Sequence, residues 1–336
     1  MAEQLTIFGL WENVVPEPRT EPDPPSPPPP PPPIDPRQAD LLSGPQTMRA
    51  ALLADCQALD AEAVRARHAA LTSRFTGQRW ADGAPAWACG IEWLVGAPAG
   101  SLSLDEQLGR ALELLDDAVA AARFPSLPRY LLALVRAESL RRAGLRLVEE
   151  RGPLARAPNG EPAGWLLVVA RDASGAREQL AAAIAAAPPD SGDREGEFPV
   201  GRTWSWLAEA EWLGDDVDAA LRAYVHACLH GDALVEPQIT CEAILDLFDA
   251  AADFELPEPV TDWIPAIADL LGAARLPEAA LEVPAGAPPG RRLAAELALY
   301  RRARAGTGRD EATKIEAKRR MLKLAPPTLR ELLRKI

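Results

Sequence analysis

A chain of 336 residues, 48% of them hydrophobic, is long enough for one large folded domain or two small ones with a sizeable buried core. A formal charge of -13 at pH 7 argues against nucleic-acid or acidic-membrane binding by the body of the chain. The charge is uneven: residues 291–336 hold fourteen Lys/Arg against five Asp/Glu, net +9, which leaves -22 on residues 1–290.

Cys56, Cys89, Cys228 and Cys241 show neither a CxxC pair nor the dense spacing of a secreted scaffold, so reduced, mostly buried thiols are expected. The N-terminus lacks the basic and apolar regions of a signal peptide, and no run approaches eighteen uninterrupted apolar residues. A soluble, cytoplasmic protein is the expectation.

Residues 1–12 form a compact apolar peptide, with Leu5, Ile7, Phe8, Leu10 and Trp11 close together. Residues 13–39 follow as a linker; thirteen of the chain's 34 prolines fall between Pro16 and Pro36. Proline removes backbone donors and favours polyproline II, so this stretch predicts a disordered, stiff tether reaching up to about 65 Å if fully extended. The run Pro27–Pro33 reads as a spacer rather than as an SH3 or WW ligand.

From residue 40 to 308 the pattern is helical throughout, with apolar residues recurring at three and four and Gly, Pro or Asp clusters between them. Helices are predicted at about 46–58, 60–75 and 84–96. One helix carrying Leu108, Leu112, Leu115 and Val119 is expected from Ser103 to before Pro125. The next should run from Pro128 to about Ala143, bury Leu131, Leu134, Val135 and Leu140, and stop at Gly144. Further helices are predicted at 162–172, 175–187, 202–213, 216–230, 238–252, 260–273, 291–305 and 309–324. The apolar run Trp165–Val169 could be a strand but reads better as a buried helix.

Trp204, Leu207, Ala208, Ala220, Tyr224 and Ala227 stand at intervals that resemble the tetratricopeptide repeat, a 34-residue helical hairpin. The resemblance implies that the small Ala208 and Ala220 let two helices cross closely, that the chain turns at Gly214-Asp215-Asp216, and that the aromatics fill the gap between hairpins. Asp232 stands where the family has its proline, and Glu211 replaces its second aromatic. Weaker echoes occur at Ala176, Leu180, Ala183 and Pro188, and at Ala63, Arg67 and Ala70, without regular spacing. The fold expected is therefore all-α: an irregular, right-handed, tetratricopeptide-like α-solenoid behind a disordered proline-rich arm.

Signatures of chemistry are sparse. The sequence contains no GxxxxGK phosphate loop, no GxGxxG and no GxSxG elbow. His226, Cys228, His230 and Cys241 allow a zinc site to be drawn. The pattern lacks the glutamate of HExxH, however, and Cys228 points away from the face the two histidines share. His226 and His230 also fit the cationic end of a helix. Neither a metal, a cofactor nor a catalytic residue is predicted. Nine tryptophans against three tyrosines are unusual. Trp204 fits the hairpin core, whereas Trp206, two residues on, must face elsewhere and is a candidate anchor for a bound peptide. The basic residues 309–336 read first as a capping helix for an acidic body and second as a weak nucleic-acid contact.

Gln4-Leu5-Thr6-Ile7-Phe8 resembles the short peptide by which bacterial polymerases and repair proteins dock on the replication sliding clamp. The resemblance implies that Gln4 makes the polar contact at the pocket mouth and that Leu5, Ile7 and Phe8 fill the pocket. Thr6 and Ile7 replace the commoner Ser or Asp and Leu. The function expected is a non-enzymatic adaptor whose N-terminal peptide engages one protein, with this clamp as the candidate, and whose helical groove engages a second; the alternatives are a nucleic-acid-associated protein acting through the basic tail and a metal-dependent α-helical enzyme.

Overall fold

Capping side chains set where three of the first six helices begin. The computed structural model describes residues 44–188, 198–305 and 311–336, and every described helix lies in the second of the chain's two units, Pro45–Ile336. Asp60 accepts from Ala63 N at 2.9 Å and opens α2 (Ala61–Arg74), which follows α1 (Pro45–Gln57). α3 is Ala84–Val95. At Ser103 a capping box forms, with Glu106 Oε2 accepting from Ser103 N at 2.9 Å, and α4 (Leu104–Glu113) starts where the sequence predicts. Thereafter the expected single helix breaks. Asp116 turns its carboxylate onto Ala118 N at 2.7 Å and starts a separate α5 (Asp117–Arg123), which leaves Leu115 43% exposed.

α6 (Arg129–Arg151) runs past Gly144, the predicted stop. A Cβ at Gly144 would sit 3.1 Å from Leu166 Cβ, so this glycine serves close helix packing, and Gly152 at φ 83° ends the helix instead. Leu134, expected inside, is exposed on α6, whereas Leu131, Val135 and Leu140 are buried. The run Trp165–Val169 is helical, in α7 (Gly164–Val169). α8 (Ala173–Ala186) is capped by Asp172, which accepts from Gly175 N at 2.9 Å.

α9 (Val200–Leu213) and α10 (Val217–His230) form a hairpin about the Gly214-Asp215-Asp216 turn. Asp215 adopts φ 62° and Asp216 caps α10 through Ala219 N at 2.8 Å. The start of α9 lies so close to the end of α10 that a Cβ at Gly201 would stand 1.6 Å from the Gly231 carbonyl oxygen. Only glycine permits this approach. α8 is antiparallel to α9, as the Arg177–Glu211 pair at 3.3 Å requires, and Gly164 packing on Leu180 sets α7 antiparallel to α8.

α11 (Glu242–Ala252) and α12 (Ile264–Leu271) follow, each preceded by a 3-10 turn, and α13 is Pro289–Ala305. Here the up-and-down order changes. Gly290 and Arg291, at the start of α13, meet Asp262, just before α12; Arg301, near the end of α13, meets Asp269, near the end of α12. Both ion pairs hold only if the two helices run in the same sense, and the 273–288 connection carries the chain back. α14 (Glu311–Leu324) returns along α13, with Arg320 on Glu296 at 3.0 Å, and α15 (Pro327–Lys335) closes the order.

The largest apolar cluster reaches from Leu167 to Leu333 and includes Tyr224, Ile244, Ile267, Leu297 and Met321. A second surrounds Trp87 and Phe124, and a third Leu108 and Leu147. Each fully buried leucine contributes about 1.5–3 kcal/mol, so these clusters outweigh any single polar contact. Leu329 and Leu333 place α15 in the largest cluster. Ile315 of α14 is 59% exposed; the buried stripe there is Ala317 and Met321. Among the described residues no strand forms, and no helix is long and apolar enough to cross a membrane.

Candidate functional site

The two tryptophans at the start of α9 face different neighbours because two helical residues differ by about 200° in direction. Trp204 stacks on His226 of α10, with ring centroids 4.4 Å apart and planes 12° from parallel. Burial, reinforced by nearby His230, pushes the His226 imidazole down to about 4, so it is neutral at pH 7. A neutral ring suits a flat stack against indole and does not act there as the cation expected at a helix end.

Trp206 is half-buried and donates its indole N–H to Glu161 Oε2 at 2.6 Å. Glu161 Oε1 accepts from Arg202 Nε at 2.7 Å, one turn earlier on α9. Trp165 of α7 stands beside Trp206, centroids 6.3 Å apart and planes at 56°. Glu161 therefore binds two side chains of α9 from the loop that precedes α7. The result is a fixed aromatic pair, Trp165 and Trp206, flanked by a guanidinium that also approaches Asp232 at 3.5 Å. No sequence motif marks Glu161, which lies 45 positions from Trp206.

Three buried polar groups, Ser205, Glu209 and Tyr224, hold the 231–241 segment. Ser205 Oγ accepts from Leu234 N at 3.0 Å, and the Tyr224 hydroxyl donates to Leu234 O at 2.6 Å. Burial raises the Tyr224 phenol well above its ordinary value, so it remains a donor. Glu209, 2% exposed, accepts from Thr240 N at 3.0 Å, Cys241 N at 3.3 Å and the Thr240 hydroxyl. Glu209 thus fixes, from another helix, the two residues that lead into α11. The sequence signal for Glu209 is an acid inside the apolar run Leu207-Ala208-Glu209-Ala210.

The cysteines and histidines do not converge. His226 lies against Trp204, Cys228 is enclosed in the core with its thiol raised by burial, and Cys241 sits at the start of α11. Among the described residues no group of three or more His, Cys, Asp or Glu is arranged to hold a metal ion. Cys56, Cys228 and Cys241 are buried and Cys89 is exposed; all four are free thiols.

In the basic segment Lys314 pairs with Glu311 at 2.6 Å and Arg319 with Glu316 at 3.1 Å. The Tyr300 hydroxyl donates to Ile336 O at 2.8 Å and ties α15 back to α13. Gln4, Leu5, Thr6, Ile7 and Phe8 lie outside the described residues, as do 309 and 310 of the basic segment.

Comparison with protein-family models, curated proteins and solved structures finds no match.

Proposed function

We propose that the chain is a non-enzymatic protein–protein interaction adaptor built on an irregular tetratricopeptide-like array of helical hairpins. The observation that carries this reading is the run α7 to α10. Its helices alternate in direction, Ala208 and Ala220 are fully buried in the hairpin, and Trp165 and Trp206 form a partly exposed aromatic pair with Trp206 held by Glu161. Rigid aromatics on ordered helices suit peptide anchoring, because little side-chain entropy is lost when a ligand covers them. The buried groups that could have served chemistry, Ser205, Glu209 and Tyr224, are engaged in fixing the 231–241 segment. The same-sense pairing of α12 and α13 departs from a regular solenoid and limits the repeat-like part to the hairpins before it. α15, with Leu329 and Leu333 buried, acts as the terminal cap.

The N-terminal peptide Gln4–Phe8 is the second binding element, and its resemblance to the sliding-clamp motif names the partner. The proline-rich stretch makes engagement of the second partner nearly intramolecular once the first is bound. The test is a pull-down of purified bacterial sliding clamp by a peptide of residues 1–14, alongside Phe8→Ala. Capture by the native peptide and loss in the variant supports the assignment; no capture, or equal capture by both, removes it.

A further inference from the structure

A cleft of about 710 Å³ lies between the end of α12, the loop that follows it, the 3-10 turn Glu278–Glu282 and α13. Its volume falls in the range of about 300–1,000 Å³ usual for ligand sites. Three guanidiniums line it: Arg275 from the loop and Arg301 and Arg302 from successive positions of α13. Arg301 is fixed, its Nε donating to Asp269 Oδ2 at 3.0 Å while Asp269 is 7% exposed. That bond neutralises the deepest acid of the cleft and holds the Arg301 plane in place. Arg275 and Arg302 are exposed and make no ion pair or hydrogen bond among the described residues. Glu278 is the remaining carboxylate, so the cleft carries a net positive charge in a chain of net -13. Leu276, Leu281 and Ala298 supply an apolar floor.

We infer that this cleft is the docking site for an acidic peptide of a partner protein, carboxylates meeting Arg275 and Arg302 and a neighbouring aliphatic side chain lying on Leu276 and Leu281. Guanidinium pairs carboxylate bidentately, and a mixed polar and apolar lining selects a segment that alternates the two. Two of the three arginines stand at the exposed rim, which suits an extended chain crossing the cleft. The inference rests on the adaptor reading only for the kind of ligand and is independent of residues 4–8, so failure of the clamp assignment leaves it standing.

The test uses the full chain and a fluorescein-labelled peptide of alternating glutamate and leucine, read by fluorescence anisotropy, with an alternating lysine and leucine peptide as control. The acidic peptide should bind saturably, weaken with added salt, and lose at least about tenfold in affinity in Arg275→Glu combined with Arg302→Glu. Arg302→Ala alone, at an exposed position that does not challenge folding, should lose a smaller part. Unchanged affinity in the folded charge-reversal variant or in Arg302→Ala, or equal binding of the lysine peptide, overturns the inference. So does a phosphoserine-for-glutamate peptide that binds far tighter and is displaced by inorganic phosphate, since the ligand is then a phosphate.

Discussion

In α9 and α10 eight of fourteen residues are buried in each helix, whereas in α14 only Ala317 and Met321 are, and this difference decides how each region handles its polar groups. A helix buried over half its residues cannot leave donors or acceptors unpaired, so α9 carries Ser205 and Glu209 with partners for their polar atoms. A helix buried along one narrow stripe leaves the rest of its circumference to solvent, and α14 fills it with Lys318, Arg319, Arg320 and Lys323. The first hairpin is consequently intolerant of change and suited to be a scaffold. α14 tolerates charge and can vary its surface at small cost to the fold.

Substitutions should separate the two regions, beginning with Gly201→Ala. A methyl group there meets the Gly231 carbonyl, and the backbone must move; a loss of about 3 kcal/mol or more in denaturant unfolding is expected. Glu209→Ala leaves Thr240 and Cys241 amides without their acceptor in a buried site, so about 2–3 kcal/mol should be lost, with Glu209→Gln retaining part of it.

The Trp204–His226 stack gives a pH signature. The unfolded imidazole titrates near 6.5 and the folded one at about 4, so the unfolded chain takes up the proton first as pH falls. The stack's contribution is therefore complete above about pH 6.5 and is lost progressively toward pH 4, by about 1–2 kcal/mol after allowance for the partly exposed ring. His226→Phe keeps an aromatic partner for Trp204 and should flatten this step in unfolding curves. At the small end, Arg319→Ala on α14 breaks only an exposed pair with Glu316 and should change stability by less than about 0.5 kcal/mol. A loss comparable to that of Glu209→Ala would erase the contrast between the α9–α10 hairpin and α14.

Local signals were legible in the sequence and distant ones were not. Ser103 and the Gly214-Asp215-Asp216 turn marked their helix boundaries, because capping and turn residues act on backbone two or three positions away. The break at Asp116 was a local signal too, but a continuous leucine periodicity masked it. Gly144 was misread as a stop because glycine that ends a helix and glycine that admits a neighbouring helix look alike until Leu166 is placed beside it. Trp206 was correctly separated from the face of Trp204, yet its partner Glu161 lies in the loop before α7, 45 positions away. The cleft depends on Arg275 and Arg301 meeting across the same-sense arrangement of α12 and α13, a pairing no spacing rule predicts.

Native-state hydrogen exchange, read residue by residue on the full chain, tests the division between scaffold and charged face most directly. The account predicts that amides of Leu207–Ala210 and Ala223–Leu229 exchange only through global unfolding, and that amides in the exposed half of α14 open at least about a hundredfold more readily. Protection in α14 equal to or greater than that in α9 and α10 would contradict it.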